Sequence, residues 1–234
     1  MRNLILIIFL FASVLCHAQY TKQQMYDAYL TQNMRLWDKY LHAHKWTNLS
    51  TAEKSIYINY EYGYIATAID EKQPDAKQHI EVFLSHINDM SQVLPEATIL
   101  VYKSSYAAYR AKAYTMEFAS QGLKAMNIAK DAVRVDSLNP LALTLYGCVE
   151  FYAPKLFGGN KHRALQAFTK AEYIYKQTGD TINNWNYISC QMQRAMCLEK
   201  IGNKTEAIAL CKKILQDAPN FIFIRDTYLP SLLK

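Results

Sequence analysis

The sequence predicts an all-α protein built from stacked antiparallel helical hairpins. Turn-forming residues are scarce, with seven glycines and six prolines among 234 residues. They fall between long stretches of helix-favouring residues, in which apolar side chains recur every 3.6 residues or so. A β-sandwich or barrel would need many more turn signals. Helices joined by short connections are therefore expected, each beside the next.

The chain begins with the pattern of an export signal. Arg2 supplies a positive charge, residues 4–15 form an apolar run, and Ala18 is a small residue suited to cleavage before Gln19. The polar residues that follow come too soon for a membrane-spanning helix of roughly twenty apolar residues. We expect residues 1–18 to be a cleaved signal peptide, and the mature protein to be periplasmic with no membrane span.

Lipidation of Cys16 is the alternative reading of this leader. Leu15 precedes the cysteine, whereas the lipoprotein signature has a small residue at that position. Cleavage at Ala18 is therefore favoured over a lipid anchor at Cys16.

The periodicity divides the mature chain into about nine helices. Their expected ranges are 20–45, 51–69, 73–93, 95–117, 121–135, 140–155, 161–178, 184–201 and 204–217. Segment 48–51, followed by Glu53, offers an N-cap, and Pro74 and Pro95 occupy first-turn positions where no amide donor is lost. Later stops are indicated by three segments that contain glycine, at 158–160, 178–180 and 202–203.

The later hairpins repeat with a period of about 34 to 43 residues. The second helix of each carries small or medium apolar residues at the spacing 0, +4, +7, which places them on one helical face. The three sets are Ala125, Ala129 and Ala132; Ala164, Phe168 and Ala171; and Ala207, Cys211 and Ile214. This shared face is expected to be the seam of each hairpin.

At these positions the chain resembles the tetratricopeptide-repeat (TPR) family. The last unit carries Ala195, Gly202, Ala207 and Pro219 in the family's register. The first unit carries Tyr109, Ala113 and its three seam alanines, but has Ser120 and Ser137 where the family has glycine and proline. The middle unit departs by five extra residues between Gly147 and Ala164.

The resemblance implies a TPR-like α-solenoid in four parts. After the leader 1–18, residues 19–105 would hold N-terminal helices with a degenerate hairpin, which includes Gly63, Ala76, Ile80 and Phe83. Residues 106–219 would form three TPR-like hairpins, and 220–234 a C-terminal tail or capping segment.

The family holds a peptide or partner protein on the concave side, which the first helix of each hairpin lines. In this register the resemblance implies a partner-binding surface made of Arg110, Tyr114, Glu117, Thr144, Phe151, Met192, Met196 and Glu199, with Cys148 and Ser189 beside them. Methionines can repack around irregular ligands. The first hypothesis is thus a periplasmic interaction module with an unidentified protein partner.

The second hypothesis is an accessory subunit of a periplasmic solute-uptake system. The Phe157-Gly158-Gly159-Asn160 insertion resembles that of repeat subunits associated with periplasmic solute receptors. An internal pocket enclosed by the tyrosine-rich N-terminal helices would favour this hypothesis, whereas an open groove without a pocket would favour the first.

Tyrosine is the compositional oddity, with 18 in the chain. Tyr57, Tyr60 and Tyr64 form one helical stripe, and Tyr102, Tyr106 and Tyr109 form another. Packing with the hydroxyls at the edge is favoured over an aromatic binding surface.

No motif predicts catalysis, and no cofactor is expected. His42 and His44 point about 200° apart on a helix, so they cannot chelate one ion, and no metal site is expected from the scattered histidines. The segment 158–161 lacks the remainder of a phosphate-binding loop and is explained by a helix stop with Asn160 as N-cap. The formal net charge of +6 is spread along the chain, which argues against nucleic acid as a partner.

The mature chain would hold four cysteines. Cys197 and Cys211 lie on the two helices of one hairpin, where a disulfide is possible in an exported protein. Buried free thiols are favoured, because cysteine is also a small core residue.

Overall fold

The computed structural model describes residues 20–234, and within that range every regular element is helical. The predicted leader, its predicted cleavage site and Cys16 lie outside the described residues. Residues 20–234 form eleven α-helices: α1 Lys22–Leu30, α2 Arg35–Ala43, α3 Thr51–Asp70, α4 Ala76–Asp89, α5 Glu96–Ala113, α6 Phe118–Val135, α7 Pro140–Tyr152, α8 Lys161–Gln177, α9 Trp185–Lys200, α10 Lys204–Asp217 and α11 Leu229–Leu233. No helix of residues 20–234 is long and apolar enough to cross a membrane.

The predicted number of about nine helices is too low, because one extra helix occurs near each end of the described residues. The first predicted helix, 20–45, is two helices, because Gln32 adopts a left-handed conformation with φ of 53°. Residues 220–234, expected to be a C-terminal tail or capping segment, contain a π-helical turn, Phe223–Tyr228, and then α11. The helix predicted over 95–117 ends at Ala113, since Tyr114 is extended.

The predicted N-caps and glycine stops are confirmed, but the two prolines do not lie in first turns as predicted. Pro74 precedes Asp75, the N-cap of α4, and Pro95 is itself the N-cap of α5. Ser50 caps α3 in a reciprocal arrangement with Glu53. The Ser50 backbone N–H donates a hydrogen bond of 2.8 Å to Oε2 of Glu53. Asn160 caps α8 by accepting the amides of His162 and Arg163. Left-handed glycines stand at all three later breaks: Gly158, Gly179 and Gly202.

The helices pack in consecutive pairs, α3 with α4, α5 with α6, α7 with α8 and α9 with α10. The first helices of neighbouring pairs also touch, so α3, α5, α7 and α9 form a continuous inner row. All nine residues of the repeated 0, +4, +7 pattern are 3% exposed or less. The face that repeats in the sequence is therefore the face that the pairs bury.

Helices α1 and α2 close the inner side of this row. Trp37 of α2 and Met25 of α1 are fully buried, and they share a core with the tyrosines of α3 and with Trp185 of α9. Leu30 of α1 lies in a second core, formed with α9, α10 and the C-terminal segment. The N-terminal helices thus contact both the first and the last pair.

Candidate functional site

The inner row is filled at its centre by aromatic rings. Trp185 is the first residue of α9. The centre of its ring lies 5.2 Å from the ring centre of Trp37, and 5.6 Å from the ring centres of both Tyr62 and Tyr29. Its Nε1 donates a hydrogen bond of 2.7 Å to Oδ1 of Asn59 on α3. The last pair of helices therefore contacts the first directly.

The neighbouring tyrosines complete this aromatic centre. The hydroxyl of Tyr109 donates to the backbone carbonyl of Tyr62 at 2.6 Å. Burial raises the pKa of Tyr29 and of Tyr102 to about 12. Five of the six stripe tyrosines are buried, with Tyr106 partly buried, as the packing interpretation predicted.

A cavity of about 680 Å³ opens on one side of the aromatic centre. This volume lies in the range of small-molecule sites, about 300 to 1,000 Å³. Six aromatic residues line it, namely Tyr20, Tyr40, Tyr60, Tyr102, Tyr175 and Trp185, together with five asparagines, Asn59, Asn139, Asn183, Asn184 and Asn186. Tyr20 lies just ahead of α1, Tyr40 on α2 and Tyr60 on α3, so the cavity is enclosed in part by the tyrosine-rich N-terminal segment that the sequence singled out.

Two of the five lining asparagines are positioned as N-caps of inner helices. Asn139 is the N-cap of α7 and accepts the amide of Ala142 at 3.0 Å, while Asn184 caps α9 and accepts the amide of Asn186 at 2.9 Å. Because a cap uses the side-chain oxygen, the amide NH₂ group is left to bond elsewhere. Asn139 directs its NH₂ to the hydroxyl of Thr98 at 3.4 Å.

Charged side chains of both signs lie in the lining. Lys22 and Asp180 approach each other at 3.8 Å across the mouth of the cavity. Glu53 also lies in the lining, and hydrogen bonds from Ser50 lower its pKa. The rest of the lining is mainly amide, phenol and indole groups, and the one ammonium and two carboxylates leave an excess of one negative charge among the charged groups named here.

A second cavity, of about 600 Å³, lies near the opposite ends of the inner helices. Two predicted partner-binding residues, Met192 and Met196, line it with Tyr29, Tyr152 and Phe223. Glu71 at the end of α3 gives one edge a negative charge, and Asp70 beside it pairs with Lys112. The structure thus brings these two methionines into one groove with aromatic side chains.

The other predicted partner-binding residues lie elsewhere. Thr144 and Phe151 are 5% and 6% exposed and belong to the interior between α7, α8 and α9. Arg110 faces α4 and pairs with Glu81 and Glu117.

Two more of these residues stand at the ends of helices. Tyr114 follows the end of α5 and lies against the guanidinium of Arg110, with 4.6 Å between the guanidinium carbon and the ring centre. Glu199, near the end of α9, pairs with Lys200 at 3.1 Å. The groove therefore gathers two of the eight predicted residues.

The cysteines are free thiols in the described chain. Cys190, Cys197 and Cys211 are buried and Cys148 is partly buried. Burial raises the pKa of Cys148 and Cys190 to about 12, and that of Cys197 and Cys211 to about 11. Thiols of such high pKa are poor nucleophiles at neutral pH.

The tight turn at residues 158–160 requires glycine at position 159 for steric reasons. A Cβ on Gly159 would lie 2.0 Å from the carbonyl oxygen of Ala153, so the tight turn excludes any side chain there. Arg163 fixes the turn by donating to the carbonyl of Gly158 at 2.6 Å and to buried Glu150 at 2.8 Å. These contacts support a helix stop as the role of the segment.

Sequence reasoning missed the residues that organise the cavity. The run Asn183-Asn184-Trp185-Asn186 could have indicated these residues. It places one of the three tryptophans of the chain among three amide side chains at a predicted helix start. No protein-family model matches this chain, and no curated protein matches it.

Proposed function

We propose that this protein is an exported, TPR-like helical-repeat protein that binds a small polar molecule in the cavity lined by tyrosines and asparagines. The observation that carries the proposal is the cavity of about 680 Å³ between the N-terminal helices and the starts of the inner helices. The function is binding without catalysis, as expected for an accessory subunit of a solute-uptake system.

The chemistry of the lining defines the class of ligand. An asparagine amide offers both a donor and an acceptor, and a tyrosine or tryptophan offers a flat apolar face with a polar edge. The charged side chains at the mouth are of both signs, and Lys22 already pairs with Asp180. This combination suits a neutral molecule rich in hydroxyl or amide groups, of the size of a sugar or a short oligosaccharide.

The TPR-like part of the proposal rests on the buried repeat pattern. The seams of α6, α8 and α10 carry the same spacing, and the inner helices contact one another in chain order. The export part rests on the charged, apolar and small residues of 1–18, which lie outside the described residues.

A protein partner is the second candidate, and the methionine groove favours it. Met192 and Met196 lie beside Tyr152 and Phe223 in the cavity of about 600 Å³. Methionine and aromatic side chains are typical of surfaces that accept a peptide.

One experiment tests the cavity and compares the two candidates. The protein is isolated from its native periplasm, and mass spectrometry identifies both co-eluting proteins and any small molecule released on denaturation. We expect a small molecule to co-purify with the unmodified protein and to be absent from the Ser55→Trp variant. Ser55 lines the cavity, and an indole at this position would fill it. Ser120→Trp is the matched control, since Ser120 likewise bonds to its own helix start but is exposed on α6.

Two results contradict the cavity proposal. The first is equal recovery of the small molecule from the Ser55→Trp and Ser120→Trp variants. The second is a protein partner that is lost with Met192→Ser and Met196→Ser while no small molecule is released, which transfers the function to the methionine groove.

A further inference from the structure

Two histidines and two aspartates from separate helices converge at the edge of the N-terminal region. Asp38 and His42 stand one turn apart on α2, with Asp38 Oδ1 and His42 Nδ1 at 3.0 Å. Asp75 and His79 stand one turn apart at the start of α4, with Asp75 Oδ2 and His79 Nε2 at 3.4 Å. One nitrogen or oxygen from each of the four lies within 4.8 Å of the others.

We propose that this cluster binds a divalent transition-metal ion of the zinc class. Imidazole nitrogen is a ligand for zinc, copper and nickel, and carboxylate oxygen completes mixed nitrogen and oxygen sites of four ligands. The two carboxylates balance the two positive charges of the ion. The proposal is independent of the solute cavity, because none of these four side chains lines that cavity.

The ligand atoms need only a small contraction to surround an ion. Bonds of about 2.0 to 2.1 Å in a tetrahedron place the ligand atoms roughly 3.4 Å apart. The His42 side chain is 60% exposed and the Asp75 side chain 41%, so both are free to rotate inward. The exposed side of the cluster also gives an ion a route from solvent.

A neighbouring tyrosine orients the less mobile half of the site. The hydroxyl of Tyr64 on α3 donates to Oδ1 of Asp38 at 3.0 Å. The ring of Tyr64 also meets that of His79 edge to face, with the ring centres 5.2 Å apart. Partners of this kind fix ligand orientation in metal sites. A bound ion would join α2 to α4, which belong to different parts of the chain.

The test is calorimetric titration of the purified protein, carrying no histidine tag, with Zn²⁺ alone. We expect one ion per chain and a weakening of about tenfold or more in His42→Gln and in His79→Gln. His162→Gln is the control, because His162 is exposed on α8 and lies outside the cluster. Mg²⁺ and Ca²⁺, which prefer oxygen ligands, should not compete.

A second measurement does not depend on variants. Co²⁺ bound by the unmodified protein should give the intense visible absorption of a four-coordinate ion, and Zn²⁺ should displace it. Absence of one-to-one Zn²⁺ binding, or binding that the double variant His42→Gln, His79→Gln leaves unchanged, would overturn the proposal.

Discussion

Trp185 and Asn59 are 126 residues apart in sequence and joined by a hydrogen bond of 2.7 Å. The bond connects the start of α9 to the middle of α3, so the fourth pair of helices meets the first. Trp185 also contacts the rings of Trp37, Tyr29 and Tyr62. The stability of the whole described chain should depend on this residue.

Two substitutions of Trp185 distinguish the contribution of its hydrogen bond to stability from that of its packing. Trp185→Phe keeps most of the ring and loses the donor, so we expect a cost of about 1 kcal/mol in the free energy of unfolding. Trp185→Ala leaves a large void and should cost about 3 to 5 kcal/mol. Urea denaturation measures both values. Equal, small losses for the two variants would mean that the first and fourth pairs do not meet through this side chain.

Gly63 allows the two tryptophans to meet against α3. A Cβ at this position would lie 2.5 Å from Trp37 and 2.8 Å from Trp185. Gly63→Ala should therefore destabilise the protein by about 1 to 3 kcal/mol, although alanine is the better helix former. Gly122→Ala is the matched control on α6, where nothing lies within 4 Å of the added atom. The control should gain about 0.5 to 1 kcal/mol. Thermal unfolding that shifts in the same direction for both variants would contradict this account.

The seam of the last pair tests the repeat register. Ala207 is fully buried, so Ala207→Trp should overpack the contact between α9 and α10 at a cost of a few kcal/mol. Met192→Ala, in the methionine groove, should cost about 1 kcal/mol or less. Differential scanning calorimetry compares the two. Equal tolerance of both changes would show that the assigned register is wrong.

Alkaline pH should unfold the protein through its buried tyrosines. Burial raises the pKa of Tyr29 and Tyr102 from 10.0 to about 12. Below pH 10 both hydroxyls are neutral in the folded and unfolded states, so the stability is complete. Above pH 10 the unfolded chain loses these protons first, and stability falls by about 1.4 kcal/mol per pH unit for each group until pH 12.

The measurement is circular dichroism recorded together with the ultraviolet absorbance of tyrosinate. We expect a late fraction of the tyrosines to ionise only as helical signal is lost. Tyr102→Phe should reduce the slope of stability against pH. Complete ionisation near pH 10 with the helices intact would contradict the buried positions.

The number of free thiols tests whether the predicted leader is removed. The folded protein should react slowly with a thiol reagent at neutral pH, because burial raises the pKa of every cysteine in the described range. After denaturation without reductant we expect four thiols if residues 1–18 have been removed, and five if Cys16 remains with an unmodified thiol. Two thiols that appear only after reduction would instead indicate a disulfide.

The elements that the sequence predicted are those set by local chemistry. The Ser50 and Asn160 caps and the glycine stops at 179 and 202 depend on a few neighbouring residues, and each stands where the pattern placed it. The buried alanine seams follow from periodicity along one helix. Signals of this range can be recognised without knowing the fold.

The features that escaped prediction depend on contacts between distant segments. Gln32 breaks the first helix in a left-handed conformation that usually needs glycine, so its residue type gave no warning. Arg110 pairs with Glu81 on α4, and alignment of the sequence with the TPR repeat cannot show a contact between two different units. The histidine cluster had a signal in the repeated Asp-x-x-x-His spacing of 38–42 and 75–79, but only the fold shows that the two turns meet.

The contact between α3 and α9 also limits how the chain can change in length. In an open repeat array each unit touches only its neighbours, so a unit can be added or removed at little cost. Here an extra hairpin between α6 and α7 would carry Trp185 away from Asn59 and open the aromatic centre. Folding should also be more cooperative and slower than in an open array of this size, because loop closure over 126 residues must precede the contact. Within residues 51–217, this contact therefore disfavours any number of hairpins other than the four consecutive pairs.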